Sequence, residues 1–429
     1  MNCLPLPPGA ETRLLIVDSE ALTSVPAVLA EYFPGCRPWL VADDNTFAAA
    51  GSRLLAELKS SGAAPVEPVI FPAVPTLHAD SAIADRLAAE MPENAVPVAV
   101  GSGTINDLVK RASGIRGRAY CCVPTACSVD GYTSRGASLI CNNFKQTMPC
   151  PAPLAVVADT EVLKSAPSPM LAAGYADLAA KLPAGGDWII ADQLGIEAIA
   201  PEIWALVQGE LRDRLADHTR LDKIFQGLAA TGFAMQLYRE SRPASGADHL
   251  FSHIWEMENL HFNGEVVSHG FKVSIGTLMS TALMEFVIDT GVDTARARAV
   301  PEVSREERER EVQALLVRGC YGEGAHRVAM EKFLSGRELT ERREAIFSAW
   351  ETLRSRLRKQ LIPFAELRRM LADAGCPVRP AEIGLDKAQF LHGYRAAQLI
   401  RKRYTILDLL YEAGLFETAE QRLAAAFEI

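Results

Sequence analysis

Short apolar runs rich in Val, Ile, Leu and Ala alternate with segments of helical spacing along the first third of the chain. Runs 14–17, 39–42, 68–71, 95–100 and 119–123 read as strands, and 155–157 as the last strand or an edge hairpin of the same domain. Between them, 21–33, 46–61 and 80–91 place apolar residues every three to four positions and read as helices, with a further helix opening at Gly103. This alternation predicts a parallel α/β sheet. From Thr160 onward β-branched runs thin out and helical periodicity dominates. Segments 170–182, 201–215, 220–241, 271–286, 306–317, 324–334 and 341–370 are predicted helices, and 388–413 supplies the final one or two. The pattern therefore divides the chain into an α/β domain over residues 1–160 and an all-α domain over residues 161–429.

The composition fits two globular domains, with 49% hydrophobic and 23% charged residues in 429. A net charge of −9, and no Lys/Arg cluster interleaved with aromatics, exclude a nucleic-acid partner. Nine cysteines form no CxxC pair, which fits free thiols in a reducing cytoplasm. The N-terminus lacks the basic region of a signal peptide, and no apolar run is read as reaching the ~18 residues of a membrane span. The expectation is a soluble cytoplasmic protein.

Three stretches carry chemistry. Strand 95–100 runs directly into Gly101-Ser102-Gly103-Thr104-Ile105-Asn106-Asp107, a glycine-rich turn opening a helix. Close backbone approach and free N–H groups at a helix N-terminus suit a phosphate, although the full GxGxxG pattern is not met. Asp43, at the end of strand 39–42, is either a ribose-hydroxyl acceptor or a helix cap. After strand 119–123, the loop 124–134 is dense in hydroxyls and carries Asp130, in the place where α/β proteins bind ligands.

The third stretch, 245–277, holds half of the eight histidines. His249 and His253 lie one helical turn apart on one face, roughly 6 Å along the axis. His269 follows a turn-prone passage (His261, Asn263, Gly264) and opens the next helix. Two helices thus present imidazoles suited to a divalent metal, and the absence of HExxH excludes the zinc-protease arrangement. Asp177, on an apolar helix among Ala172, Ala173, Ala176, Ala179 and Ala180, is the third candidate ligand, since a buried carboxylate is costly unless paired or metal-bound.

In order along the chain, VAVGSGTINDL, VPTACSVDGYTS, AAGYADLAAKL, SGADHLFSHIWEM and HGFKVSIGT resemble the glycerol-1-phosphate dehydrogenase family. That family sits in the superfamily of iron-containing alcohol dehydrogenases, glycerol dehydrogenases and dehydroquinate synthases. The resemblance covers roughly residues 13–290. It implies a Rossmann-like N-terminal domain and a helical C-terminal domain, with NAD(P) and one divalent metal (Zn, Ni or Fe) in the cleft between them. By motif, Asp177, His249 and His269 are implied metal ligands, with His253 beside the substrate and Asp130 contacting it. Gly101 and the run Gly103, Thr104, Ile105, Asn106 and Asp107 match the pyrophosphate turn, and Thr125, Ser128 and Ser134 match further nucleotide contacts. Asp43 matches the acidic ribose position, which favours NAD over NADP. The implied reaction is hydride transfer between NAD(H) and dihydroxyacetone phosphate, a small phosphorylated ketone, giving sn-glycerol 1-phosphate. Lys145, Arg135 and Lys272 are candidates for the substrate phosphate, and a homo-oligomer is expected. A polyol or glycerol dehydrogenase and a sugar-phosphate cyclase of dehydroquinate synthase type are the alternatives. The cyclases carry glutamate at the first ligand position and GHxxGH at the histidines, where this chain has Asp177, Asp248 and Ser252. The chain also departs from the family pattern at Ala176, Ala180, Pro183, Gly185 and Gly186.

Overall fold

The computed structural model describes residues 3–141, 144–316 and 321–429. Cys320, the end of predicted helix 306–317 and the side chain of Lys145 lie outside the described residues. The chain forms two compact units, Met1–Leu178 with Gly209–Glu240, and Ala179–Gln208 with Ser241–Ile429.

The first unit is built on β1 (Leu14–Asp18), β2 (Arg37–Asp43), β3 (Val69–Phe71), β4 (Ala95–Gly101), β5 (Cys121–Pro124) and β8 (Ala155–Asp159). A separate antiparallel hairpin, β6 (Ala137–Cys141) and β7 (Phe144–Met148), was not foreseen from the sequence. The six strands pair in the order β1-β8-β5-β4-β2-β3, all parallel. β8 is the last strand of this sheet in chain order, the first of the two readings, and not an edge hairpin: it lies between β1 and β5, matching Leu14 to Ala155 and Cys121 to Ala155. Every residue of β4, β5 and β8 is buried, as a parallel sheet covered on both faces requires. The register Gly101↔Pro124 brings the carboxyl ends of β4 and β5 side by side, so the glycine turn and the hydroxyl-rich loop leave the sheet as neighbours. Helix Leu221–Tyr238 belongs to this unit and lies directly on that loop: a Cβ on Gly232 would stand 2.1 Å from Thr133 Oγ1.

The second unit is helical. The predicted helix 170–182 breaks at Ala180, and a new helix, Lys181–Gln193, begins there. Pro183 explains the restart, because its missing N–H falls in a first turn that needs no donor. Gly185 and Gly186 lie inside this helix at sites of close packing. Their Cβ atoms would stand 2.6 Å from Gln360 Nε2 and 2.6 Å from Met284 Sδ. The predicted helix 341–370 is two, Gly336–Gln360 and Phe364–Asp373, separated at Pro363. Segment 388–413, expected to hold one or two helices, holds two, Lys387–Ala397 and Ile406–Glu412, followed by Phe416–Ala426. Helix His269–Thr290 corrects the reading that no apolar run reaches membrane length: its 22 residues do, by length and composition alone. Its most apolar stretch is 78% buried against other helices of the unit, which is how a central core helix comes by such a composition.

Candidate metal and dinucleotide site

In the first unit, helix Gly103–Ile115 starts directly after β4 with Ser102 at its N-cap and no side chain satisfying the first N–H groups. A Cβ on Gly101 would lie 2.5 Å from Ile105 Cβ, so that position is sterically reserved for glycine, and one on Gly103 would press on Val129 at 3.0 Å. Thr104 is partly exposed at the helix start, whereas Ile105 is buried. Asn106 and Asp107 turn their side chains inward. Asn106 receives the Tyr120 hydroxyl at 3.1 Å and donates to Gly131 O at 3.3 Å. Asp107 accepts the Ser138 N–H at 3.2 Å. What this turn offers an anion is its uncapped backbone and the helix dipole. Asp43 ends β2 and caps the next helix, its Oδ1 accepting the Thr46 N–H at 2.8 Å.

The hydroxyl-rich loop is bonded both within itself and to its surroundings. Thr125 N donates back to Gly101 O at 3.1 Å, tying the loop to the glycine turn. Ser128 Oγ meets the Tyr132 hydroxyl at 3.3 Å, and Ser134 Oγ donates to Gly131 O at 3.0 Å. Thr133 Oγ1 donates to Ala229 O at 2.7 Å, while Gln236 Nε2 donates to Thr133 O. Beneath the loop sits helix Ser168–Ala179, pressed so close that a Cβ on Gly174 would fall 1.7 Å from Cys127 O. Asp177, on this helix, is fully buried, and its Oδ2 accepts the backbone N–H of Asp130 at 2.9 Å. The two carboxylate residues singled out from sequence, 47 positions apart, thus meet in one hydrogen bond.

In the second unit, His249 and His253 sit on helix Ala247–Met257, and His269 opens helix His269–Thr290. The chain between them makes a tight hairpin, β9 (His261–Phe262) and β10 (Glu265–Val266), turned by Asn263 and Gly264 at positive φ. That reversal brings the rings of His249 and His269 to 5.3 Å between centroids, with His253 at 6.2 Å from His249. Each of the two outer imidazoles has a carboxylate behind it. His249 Nδ1 bonds Asp248 Oδ2, and His269 Nδ1 bonds Glu256 Oε1 at 2.6 Å. A carboxylate at Nδ1 fixes the tautomer that presents Nε2 as the electron-pair donor, the arrangement found behind metal-bound histidines. Lys272 Nζ, buried, lies 3.9 Å from the same Glu256 oxygen. His253 is half-buried, and its Nδ1, shut away from solvent, has no hydrogen-bond partner. Burial drives its pKa well below the usual histidine value; Arg401, His249 and His269 add to the fall and Glu256 opposes it.

The iron-containing alcohol dehydrogenase profile matches residues 16–167. The NAD(P)-linked glycerol-1-phosphate dehydrogenase of Halalkalibacterium halodurans is 33% identical over 289 residues, covering 65% of this chain and 72% of its own. That of Geobacillus thermodenitrificans is 36% identical over 283 residues, covering 61% and 67%. The chain belongs to the glycerol-1-phosphate dehydrogenase family. It is accordingly a member of an NAD(P)-dependent oxidoreductase family. A probable glycerol dehydrogenase from Sinorhizobium meliloti shares its fold, with a TM-score of 0.59 at 15% identity over 96% of this chain and 97% of that one.

Several residues of this dehydrogenase-family chain escaped the sequence reading. Glu256 falls seven residues after His249 and three after His253, on the same helical stripe, and that spacing was a usable signal. Lys110 carries none: a lysine on an amphipathic helix reads as solvated, yet it is fully buried. Of the phosphate candidates, Arg135 pairs with Glu11 at 3.1 Å and Lys272 is buried beside Glu256.

Proposed function

We propose that this chain reversibly reduces dihydroxyacetone phosphate to sn-glycerol 1-phosphate with NADH, and that Asp177, His249 and His269 hold one divalent metal ion. The observation that carries the metal assignment is the pair of carboxylate-backed imidazoles in the second unit, 5.3 Å apart between centroids. The fully buried Asp177 supplies the anionic oxygen that complements them. One carboxylate and two imidazoles suit zinc, nickel or ferrous iron. When bound, such an ion supplies Lewis acidity at the ketone oxygen. The substrate assignment rests on the relatives, which are named glycerol-1-phosphate dehydrogenases.

The reaction transfers a hydride from NADH to the carbonyl carbon and a proton to its oxygen, so that ketone, NADH and one proton give alcohol and NAD+. The chain's own groups have separable tasks. The uncapped start of helix Gly103–Ile115 receives the dinucleotide pyrophosphate. Asp43, held in place by its cap bond, accepts a ribose hydroxyl and disfavours a 2′-phosphate, which supports NADH over NADPH. Asp130 accepts a hydrogen bond from a substrate hydroxyl. His253 orients the substrate and passes the proton. Lys272, the buried cation three residues beyond His269, is our assignment for the substrate phosphate. The protein acts as a homo-oligomer in this reading.

The test is oxidation of NADH by metal-reconstituted protein, with dihydroxyacetone phosphate beside dihydroxyacetone. Turnover confined to the phosphorylated ketone, with sn-glycerol 1-phosphate as product, is the expected result; preference for the unphosphorylated ketone overturns it. His269→Ala is expected to lose both stoichiometric metal, measured by elemental analysis, and turnover. Normal activity in that variant overturns the ligand assignment.

A further inference from the structure

Lys110 lies in the third turn of the helix whose start forms the dinucleotide turn, and its side chain is fully buried. Its ammonium donates to Gly131 O at 2.8 Å, to Gly136 O at 3.1 Å and to Ser134 Oγ at 3.4 Å, with Asp107 Oδ1 at 3.6 Å. Asn106, one turn earlier, donates to the same Gly131 carbonyl. That carbonyl lies one residue beyond Asp130, whose own N–H is bonded to Asp177. Two hydrogen bonds and two residues of backbone therefore join the ammonium to a proposed metal ligand. A buried lysine is costly unless its donors are taken up, and here two carbonyls, one hydroxyl and one carboxylate take them up. Asp107 lies on the same helix as Lys110, but Gly131, Ser134 and Gly136 lie between β5 and β6, in no helix or strand.

We propose that Lys110 is a positioning residue that fixes the Asp130 loop, and through the Asp130 N–H the Asp177 carboxylate, in the orientation that binds metal. The inference rests on the assignment of Asp177 as a ligand. Lys110 touches neither metal nor substrate; it sets the backbone that aims Asp177. Without the ammonium, the carbonyls of Gly131 and Gly136 lose their common donor, and of the side-chain bonds from the dinucleotide helix to these two carbonyls only the longer one from Asn106 to Gly131 O remains. Asp177 keeps its chemistry but loses a fixed geometry, and metal affinity depends steeply on such supporting contacts, typically by ~10–100-fold.

The experiment measures zinc affinity of the full-length protein by competition with a chromogenic chelator, with NADH binding by fluorescence and thermal unfolding followed in parallel. For Lys110→Met we expect zinc affinity to fall about 10-fold or more while NADH affinity stays within about threefold. Lys110→Gln, which retains two donors, is expected to fall between wild type and Lys110→Met. A purely structural role would lower the unfolding temperature and leave zinc affinity of the folded protein unchanged. That pattern overturns the inference. Should Lys110→Met fail to fold, the same comparison on Lys110→Gln decides. Wild type and Asp177→Ala binding zinc equally would overturn the ligand assignment and this inference with it. Tight wild-type binding with an unaffected Lys110→Met removes this inference alone.

Discussion

The histidines show how much a single carboxylate decides. Their spacing was legible because a helical turn is fixed by backbone geometry, but an imidazole becomes a good ligand only when its other nitrogen is held. Glu256 does this for His269 at 2.6 Å while also facing Lys272. Glu256→Gln removes the anionic acceptor but keeps the volume. The expected outcome is a drop in metal affinity of about 10–100-fold, read by chelator competition, with a folded protein by circular dichroism. Asp43 teaches the reverse lesson. Of its two sequence readings the structure shows the cap, the carboxylate accepting the Thr46 N–H at 2.8 Å where β2 ends.

Among elements, the start of helix Ala247–Met257 has its support from outside. Asp187, on helix Lys181–Gln193, is fully buried and accepts the N–H of Ala247 at 2.6 Å and that of Ile406 at 2.6 Å. One carboxylate thus caps two helices, including the one that carries His249. Burial pushes its pKa up to about 7 against the pull of the two N–H donors and Arg242. Asp187→Asn leaves one acceptor oxygen for two donors, and one N–H then faces an amide. We expect a loss of about 1–3 kcal/mol in denaturant unfolding, the cost of one buried unsatisfied donor. The sequence showed Pro183, Gly185 and Gly186 as oddities in this segment. The tertiary structure places the two glycines against Gln360 and Met284, whose side-chain ends would have to give way to a Cβ.

For the molecule as a whole, buried ionisable groups set the pH response. Glu412 is buried, bonded by the Tyr404 hydroxyl, and its pKa is raised to about 7, chiefly by burial. Its unfolded counterpart releases the proton near 4.5. Between these values the folded chain holds a proton the unfolded chain has lost, so this group's contribution to stability declines as pH rises from about 4.5 to 7 and is flat above. In Glu412→Gln that decline is expected to shrink by about 1–3 kcal/mol across the window, measured by denaturant unfolding at successive pH values. An unchanged slope would show that Glu412 is ionised in the folded protein.

The sequence by itself determined the local periodicities, the glycine turn after β4, the Asn-Gly turn before His269 and the residue types suited to a metal. Each of these is set by contacts within a few residues, where backbone geometry leaves few alternatives. Tertiary structure alone decided that β8 inserts between β1 and β5, that segment Gly209–Glu240 returns to the first unit, and that Asp130 meets Asp177. It also decided that Lys110 is buried rather than solvated. The physical reason is that strand order and burial depend on partners far away in the chain. The donor of Gln236 reaches Thr12 across 224 positions, and no local pattern encodes such a pair.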